Sequence, residues 1–152
     1  MKCFNKTKQV DKYNLNRFIE VQNNIYKDVV SELKVGQKES HWIWFIFPQL
    51  KDLGFSGNAK YFGIQNLEEA SQYLQNEVLN QRLRECIQLV IDIQDKSISY
   101  IFNGQTDAYK FQSCLTLFKA ATNEKEIFIQ ALKKYYNGEE DNNTLDIINQ
   151  VK

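Results

Sequence analysis

Ten consecutive residues, Ser40-His41-Trp42-Ile43-Trp44-Phe45-Ile46-Phe47-Pro48-Gln49, hold the chain's only histidine, both its tryptophans and its only proline. Imidazole is the one side chain that titrates near neutral pH without help, so a general acid or base of that kind has to be His41. A single histidine also excludes a multi-histidine metal site. Aromatic bodies with polar tips suit a buried ligand site, and they suit a small core equally well. Trp42 and Trp44 lie two apart, so at most one faces the same partner as His41. One is expected in the core and the other at the floor of a pocket. The bland alternative for His41 is a hydrogen-bonded structural group beside an apolar run.

A second set of candidates follows Gly104. Asp107, Lys110 and Ser113 recur every third residue, with Cys114 next, and such spacing places them on one helix face. That face borders an apolar stripe, where polar groups either solvate the helix or line a cleft. Gly54-Phe55-Ser56-Gly57-Asn58-Ala59-Lys60 has the look of a loop whose backbone approaches phosphate, with Lys60 to supply charge, but it lacks P-loop spacing and is expected to be an ordinary turn. The acidic run Glu139-Glu140-Asp141 does not match a calcium loop, and reads as a solvated, capping segment.

Elements must position these groups, and the apolar spacing supplies them. Leu15, Phe18, Ile19, Ile25, Val29, Val30 and Leu33 predict a first helix capped by Asn14 and stopped by Gly36. Ser40 and Pro48 bracket a short buried helix over Trp42 to Phe47. Gln49 to Gly63, with three glycines, is expected to be the longest irregular connection. Asn66 with Glu69 makes a capping box, Asn76 caps the next helix, and Ser97 to Phe102 forms a helical turn. Further helices begin near Asp107, at an Asn123–Glu126 capping box ending by Gly138, and at Asn143 or Thr144. Seven or eight helices in one compact all-α domain are predicted.

Composition bounds the function. The chain has 152 residues, 43% hydrophobic and 13% aromatic, which suits one folded domain over 1–152. Residues 1–12, with Lys2, Lys6, Lys8 and Lys12, are expected to form a loosely ordered arm. Nineteen basic and 19 acidic residues leave no net charge, which argues against nucleic acid as a partner. Cys3, Cys86 and Cys114 are odd in number and widely spaced, so they read as free thiols, with Cys114 buried in its apolar stripe. No run approaches the ~20 apolar residues of a membrane span, and no apolar signal core opens the chain. A cytoplasmic protein without membrane attachment is expected, and no motif calls for a metal or a cofactor.

These residues resemble the family called domain of unknown function 1810, some of whose members carry an automatic calpastatin label. The likeness runs through Leu15 to Phe18, the Ser40 to Gln49 run, Glu69-Ala70, Tyr73-Leu74, Arg82 to Glu85, and Ile101-Phe102 with Gly104. It continues through Lys110, Ser113, Thr116-Leu117-Phe118, and Tyr136, Gly138, Asp141, Thr144 and Leu145, and so covers about 14–148. Cys114 and Leu115 stand where the family often has a second serine and a methionine. The resemblance implies a mainly helical single domain and carries no established activity.

Within the resemblance, packing explains Phe45 and Phe47 more readily than His41, Gln49, Lys110 and Ser113, and these four are expected to share a pocket. The functional expectation is a small-ligand protein, in its sharper form a hydrolase of a nucleotide or ADP-ribose-like compound. His41 would act as acid or base, Trp44 or Tyr61 would stack a ring, Lys110 would meet a phosphate, and Gln49 and Ser113 would complete the binding set. The helical N-glycosidases of ADP-ribose metabolism are an analogy of style only. The alternative is a non-catalytic module that binds another protein through an aromatic patch.

Overall fold

In the computed structural model, which describes residues 10–150, the first helical pattern forms α1 (Asn16–Val35), burying Phe18, Val29 and Leu33. Asp11, not Asn14, caps it: the Asp11 carboxylate accepts from the amides of Leu15 (2.7 Å) and Asn16 (2.9 Å). A charged acceptor satisfies the orphan amides more strongly than a neutral one, and Asn14 instead takes a left-handed turn at φ 55°. Gly36 ends α1 as expected, at φ 99°, donating to the Glu32 and Leu33 carbonyls.

The aromatic run folds as the short helix α2 (Ile43–Ile46). Ser40 does not cap it, because the Ser40 hydroxyl is held by Glu32 at 2.6 Å. Beyond Pro48 the chain extends, and Leu50 forms a parallel bridge with Ile64. The connection expected to be irregular contains a 3₁₀ turn (Lys51–Leu53) and a further helix, α3 (Gly57–Phe62). Ser56 caps α3 by accepting from the Ala59 amide at 3.1 Å. Gly63 follows where no side chain fits, since a Cβ there would lie 2.4 Å from both the Ala59 carbonyl oxygen and Lys51 Cα.

Asn66 and Asn76 cap α4 (Leu67–Gln75) and α5 (Glu77–Asp92) as expected. Ser97 opens α6 (Ile98–Ile101), and α7 (Gln105–Ala120) starts after Gly104. The expected Asn123–Glu126 box does not form. Lys125 precedes α8 (Glu126–Tyr136), its ammonium held by the carbonyls of Lys119 (2.6 Å) and Thr122 (2.7 Å). The acidic run does serve as a cap: Asp141 accepts from the Thr144 amide (3.0 Å) at the start of α9 (Asn142–Gln150). Nine helices stand among the described residues, and α3 is the one the glycines concealed.

Helix α7 is the central element, packing on α2, α4, α6, α8 and α9. Ala108, Phe111 and every residue from Ser113 to Phe118 are buried, so the C-terminal half of α7 is enclosed on nearly all sides while its first turns keep polar groups at the surface. Phe111 meets Phe47 and Phe102 with ring centroids 4.8 Å apart in both cases. Burial pushes the Cys86 thiol up to about 12, against a hydrogen bond with Tyr26, and also raises Cys114 well above the ordinary thiol range, so both remain neutral. Cys3, and residues 1–9 of the expected arm, lie outside the described residues. No described helix is long and apolar enough to cross a membrane.

One buried ion pair ties the N-terminal half together. Arg17 Nη2 lies 2.8 Å from Glu69 Oε2, with both side chains nearly inaccessible. The remaining guanidinium donors go to the carbonyls of Tyr61, Tyr13, Asn14 and Gly63. All five N–H groups are thereby used, which such burial demands.

Candidate functional site

Where α1 stops, the chain must turn sharply to bring the aromatic run back over the core, and Glu32 fixes that turn. Its carboxylate accepts from the Glu39 amide (2.7 Å), the Ser40 amide (3.1 Å), the Ser40 hydroxyl (2.6 Å) and the Trp42 indole (2.8 Å). Partial burial pushes the Glu32 carboxyl up, but these donors outweigh it and hold the group below its ordinary range. His41 sits exposed in the middle of the clamped segment. Just before it, the Lys38 amide donates to the Ile101 carbonyl (2.6 Å) and anchors the turn to α6.

Around this turn lies a cleft of about 170 Å³, lined by Lys38, His41, Ile43, Trp44, Ser56, Asn58, Asp107 and Lys110. Lys38 Nζ is 2.8 Å from Asp107 Oδ2, and Lys110 Nζ is 3.4 Å from Asp107 Oδ1. Two ammonium groups share one carboxylate, so the wall carries a net positive charge. The Lys38 side chain is only 5% exposed, and each ammonium has three N–H donors, more than the single carboxylate engages. Such a cluster has the charge and the free donors to accept an oxyanion. The volume lies below the roughly 300–1,000 Å³ of sites that enclose a drug-sized molecule, so a phosphate- or carboxylate-sized group fits inside.

Trp44 forms one wall and is 5% exposed. Gly54 lies against its ring, where an added Cβ would come 2.8 Å from Cζ2. Trp44 therefore gives the cleft a rigid side and no open stacking face. Trp42 belongs to the core, packed against Phe47 at 6.0 Å between ring centroids. Both tryptophans are buried in the core, and only Trp44 also lines the cleft.

Of the residues expected from sequence, His41, Trp44 and Lys110 come together here, and Gln49, Tyr61 and Ser113 do not. The four-residue pocket of His41, Gln49, Lys110 and Ser113 reduces to its first and third members. Three residues advance a helix by about 300°, so each step falls back about 60° and Ser113 stands about 120° from Asp107. Its hydroxyl lies instead within hydrogen-bond reach of two acceptors, Asp141 Oδ2 (3.1 Å) and the Tyr109 carbonyl (3.2 Å). Gln49 is buried in the Leu50–Ile64 bridge, its carbonyl accepting from the Ile64 amide (2.8 Å), and its Nε2 finds no partner among the described residues. Tyr61 is 58% exposed and meets Phe62 edge-on at 4.8 Å.

Sequence reasoning missed Lys38 and Glu32. Lys38 follows Gly36 with no periodic signal and reads as a surface lysine. Glu32 sits on the polar side of α1, where an acid needs no explanation. Ser56 and Asn58 belong to the glycine-bounded segment Gly54–Lys60, while Lys60 is exposed outside the lining. A second, wider groove of about 540 Å³ lies between the start of α1 and α4, lined by residues such as Asp11, Asn16 and Gln72, with no lysine or arginine among its described lining residues.

Comparison with known proteins gives the same outline. A crystal structure titled as the conserved hypothetical protein Rv1873 from Mycobacterium tuberculosis is 45% identical, with a TM-score of 0.89 over 91% of this chain and 99% of that one. No match is found among the curated proteins. The family model for proteins of unknown function called DUF1810 matches residues 12–148, nearly the whole described fold and every residue of the cleft, and the chain belongs to that family.

Proposed function

We propose that this protein binds a small anionic molecule in the Lys38–Asp107–Lys110 cleft and acts on it as a hydrolase of a nucleotide or ADP-ribose-like compound. The observation that carries the reading is the convergence of two lysines, one of them nearly buried, with the chain's only imidazole around one small cavity. The lysines neutralise the phosphate, and Ser56 and Asn58 add neutral hydrogen-bonding groups. His41 takes the proton of an attacking water and returns it to the departing group, so the reaction consumes water alone. Its position is set by the Glu32 clamp on either side, which favours a placed imidazole over a mobile one.

The test is thermal unfolding of the wild type and of His41→Ala with nucleotides, NAD, ADP-ribose and sugar phosphates. A ligand at a hundredfold excess over its Kd stabilises by about 2.7 kcal/mol, which raises the midpoint by a few degrees. Because His41 is exposed, His41→Ala should fold normally and lose turnover of the stabilising compound. A second reading, a protein-binding module, draws on exposed aromatics, Phe55 at 91% and Tyr61 at 58%. It gains if no compound shifts the wild type and His41→Ala is merely less stable.

A further inference from the structure

We propose that Asp107 sets the charge of the ligand, so that the cleft prefers a singly charged phosphate, as in a phosphodiester or a pyrophosphate link, to the doubly charged phosphate of a monoester. Resting on the anion-cleft reading above, this preference separates the two ligand classes named there. It favours the pyrophosphate of an ADP-ribose-like compound over the terminal phosphate of a nucleoside monophosphate.

The lysine and aspartate groups of the lining are Lys38, Asp107 and Lys110, and together they carry a single positive charge. Asp107 bridges the two ammoniums, one carboxylate oxygen to each, at 2.8 Å from Lys38 and 3.4 Å from Lys110. An oxyanion that reaches both lysines therefore lies beside the carboxylate as well. Its first negative charge is matched by the surplus ammonium, and a second meets only Asp107. The surroundings sharpen that difference. The Lys38 side chain is 5% exposed, its ammonium 5.3 Å from the centre of the Trp42 ring, and buried Ile43 and Trp44 complete the wall. In such a setting the cost of leaving water grows with the square of an ion's charge, while attraction to the surplus ammonium grows only in proportion. Ser56 and Asn58 are neutral and cannot supply the missing countercharge. Lys110, 30% exposed, keeps one side of the cleft toward solvent, so a monoester is disfavoured and not shut out.

The experiment is calorimetric titration of the full chain with adenosine 5′-monophosphate and with its methyl ester, whose phosphate keeps one charge throughout. At about pH 8, above the second ionisation of a monoester near about 6, the methyl ester should bind about tenfold tighter. At about pH 5 both phosphates carry one charge, and the ratio should fall to near one. Titration of the cleft's own groups, His41 included, acts on both compounds and cancels in that ratio. Asp107→Asn raises the charge of the cleft by one, and the ratio at the higher pH should fall to one or below. Lys110→Met lowers that charge by one, and the monoester should lose more affinity than the ester. Because Lys110 is partly exposed, this variant keeps the fold and decides the point if Asp107→Asn does not fold. A monoester bound as tightly as the ester at the higher pH, a preference that persists at the lower one, or a ratio unmoved by the substitutions overturns the assignment of Asp107 and leaves the anion cleft standing. Failure of the wild type to bind either compound removes the cleft reading and this inference with it.

Discussion

Lys38 Nζ lies 2.8 Å from Asp107 Oδ2, joining the turn after α1 to the first turn of α7 through a lysine side chain that is 5% exposed. A charge so enclosed is stable only while a counter-charge faces it. Asp107→Ala should therefore cost about 3 kcal/mol, near the lower end for breaking a buried pair, because the Lys38 ammonium is left uncompensated. Lys110 is more exposed and farther from the carboxylate, so Lys110→Met should cost less than about 1 kcal/mol. Urea denaturation of the two variants checks the contrast, and similar losses would show that the two lysines are not distinguished by burial.

The Arg17–Glu69 pair makes a parallel prediction far from the cleft. Glu69→Ala leaves a guanidinium with four carbonyl partners and no negative charge, and should destabilise by about 3–5 kcal/mol. The double variant Arg17→Met/Glu69→Leu should recover a substantial part of that loss, since neither charge then remains to be desolvated. Chemical denaturation of the single and double variants measures the difference.

Glu32 ties stability to acidity. Its folded-state carboxyl ionises below the ordinary 4.5, so the ionised form favours folding above that value. The contribution is lost as pH falls from the ordinary value through the lower, folded-state one. Glu32→Gln should lower stability at neutral pH and flatten the acid limb of the stability profile in that window. Thermal midpoints between pH 3 and pH 7 check it, and a variant profile parallel to the wild type would contradict the clamp.

Gln49 carries a buried amide nitrogen with no partner among the described residues. Replacing an unsatisfied donor with an apolar group of similar shape removes a desolvation cost, so Gln49→Met should stabilise by about 1 kcal/mol. It should leave ligand response unchanged, because Gln49 does not line the cleft. Thermal unfolding with and without adenosine 5′-monophosphate reads both effects.

Much of this fold was legible because its helices carry local signals. The Asn66 and Asn76 caps, the Gly36 stop and the α7 stripe are written within a few residues of one another. The errors fall where another side chain nearby meets the group that the pattern assigns elsewhere: Asp11 takes the cap expected of Asn14, and Glu32 claims Ser40. Helix α3 was hidden because six residues behind two glycines carry little periodicity, and Ser56 alone marks its start. Of the residues expected to share a pocket, His41, Trp44 and Lys110 line the cleft, and the first two stand out in the sequence because histidine and tryptophan are rare in it. Lys38 was not legible, because only tertiary burial against Asp107 distinguishes it from any surface lysine.

The central claim is that a phosphate-bearing ligand enters the cleft beside His41, and the chain's single histidine makes this directly observable. The measurement is a titration of the uniformly labelled protein with adenosine 5′-monophosphate, following the His41 imidazole and the Trp44 indole signals by NMR. Binding in the cleft predicts saturable shifts of both, abolished in Lys38→Met, with the Trp42 indole moving less because its N–H stays on Glu32. Saturable shifts confined to other residues, or no shift at millimolar ligand, would contradict the account.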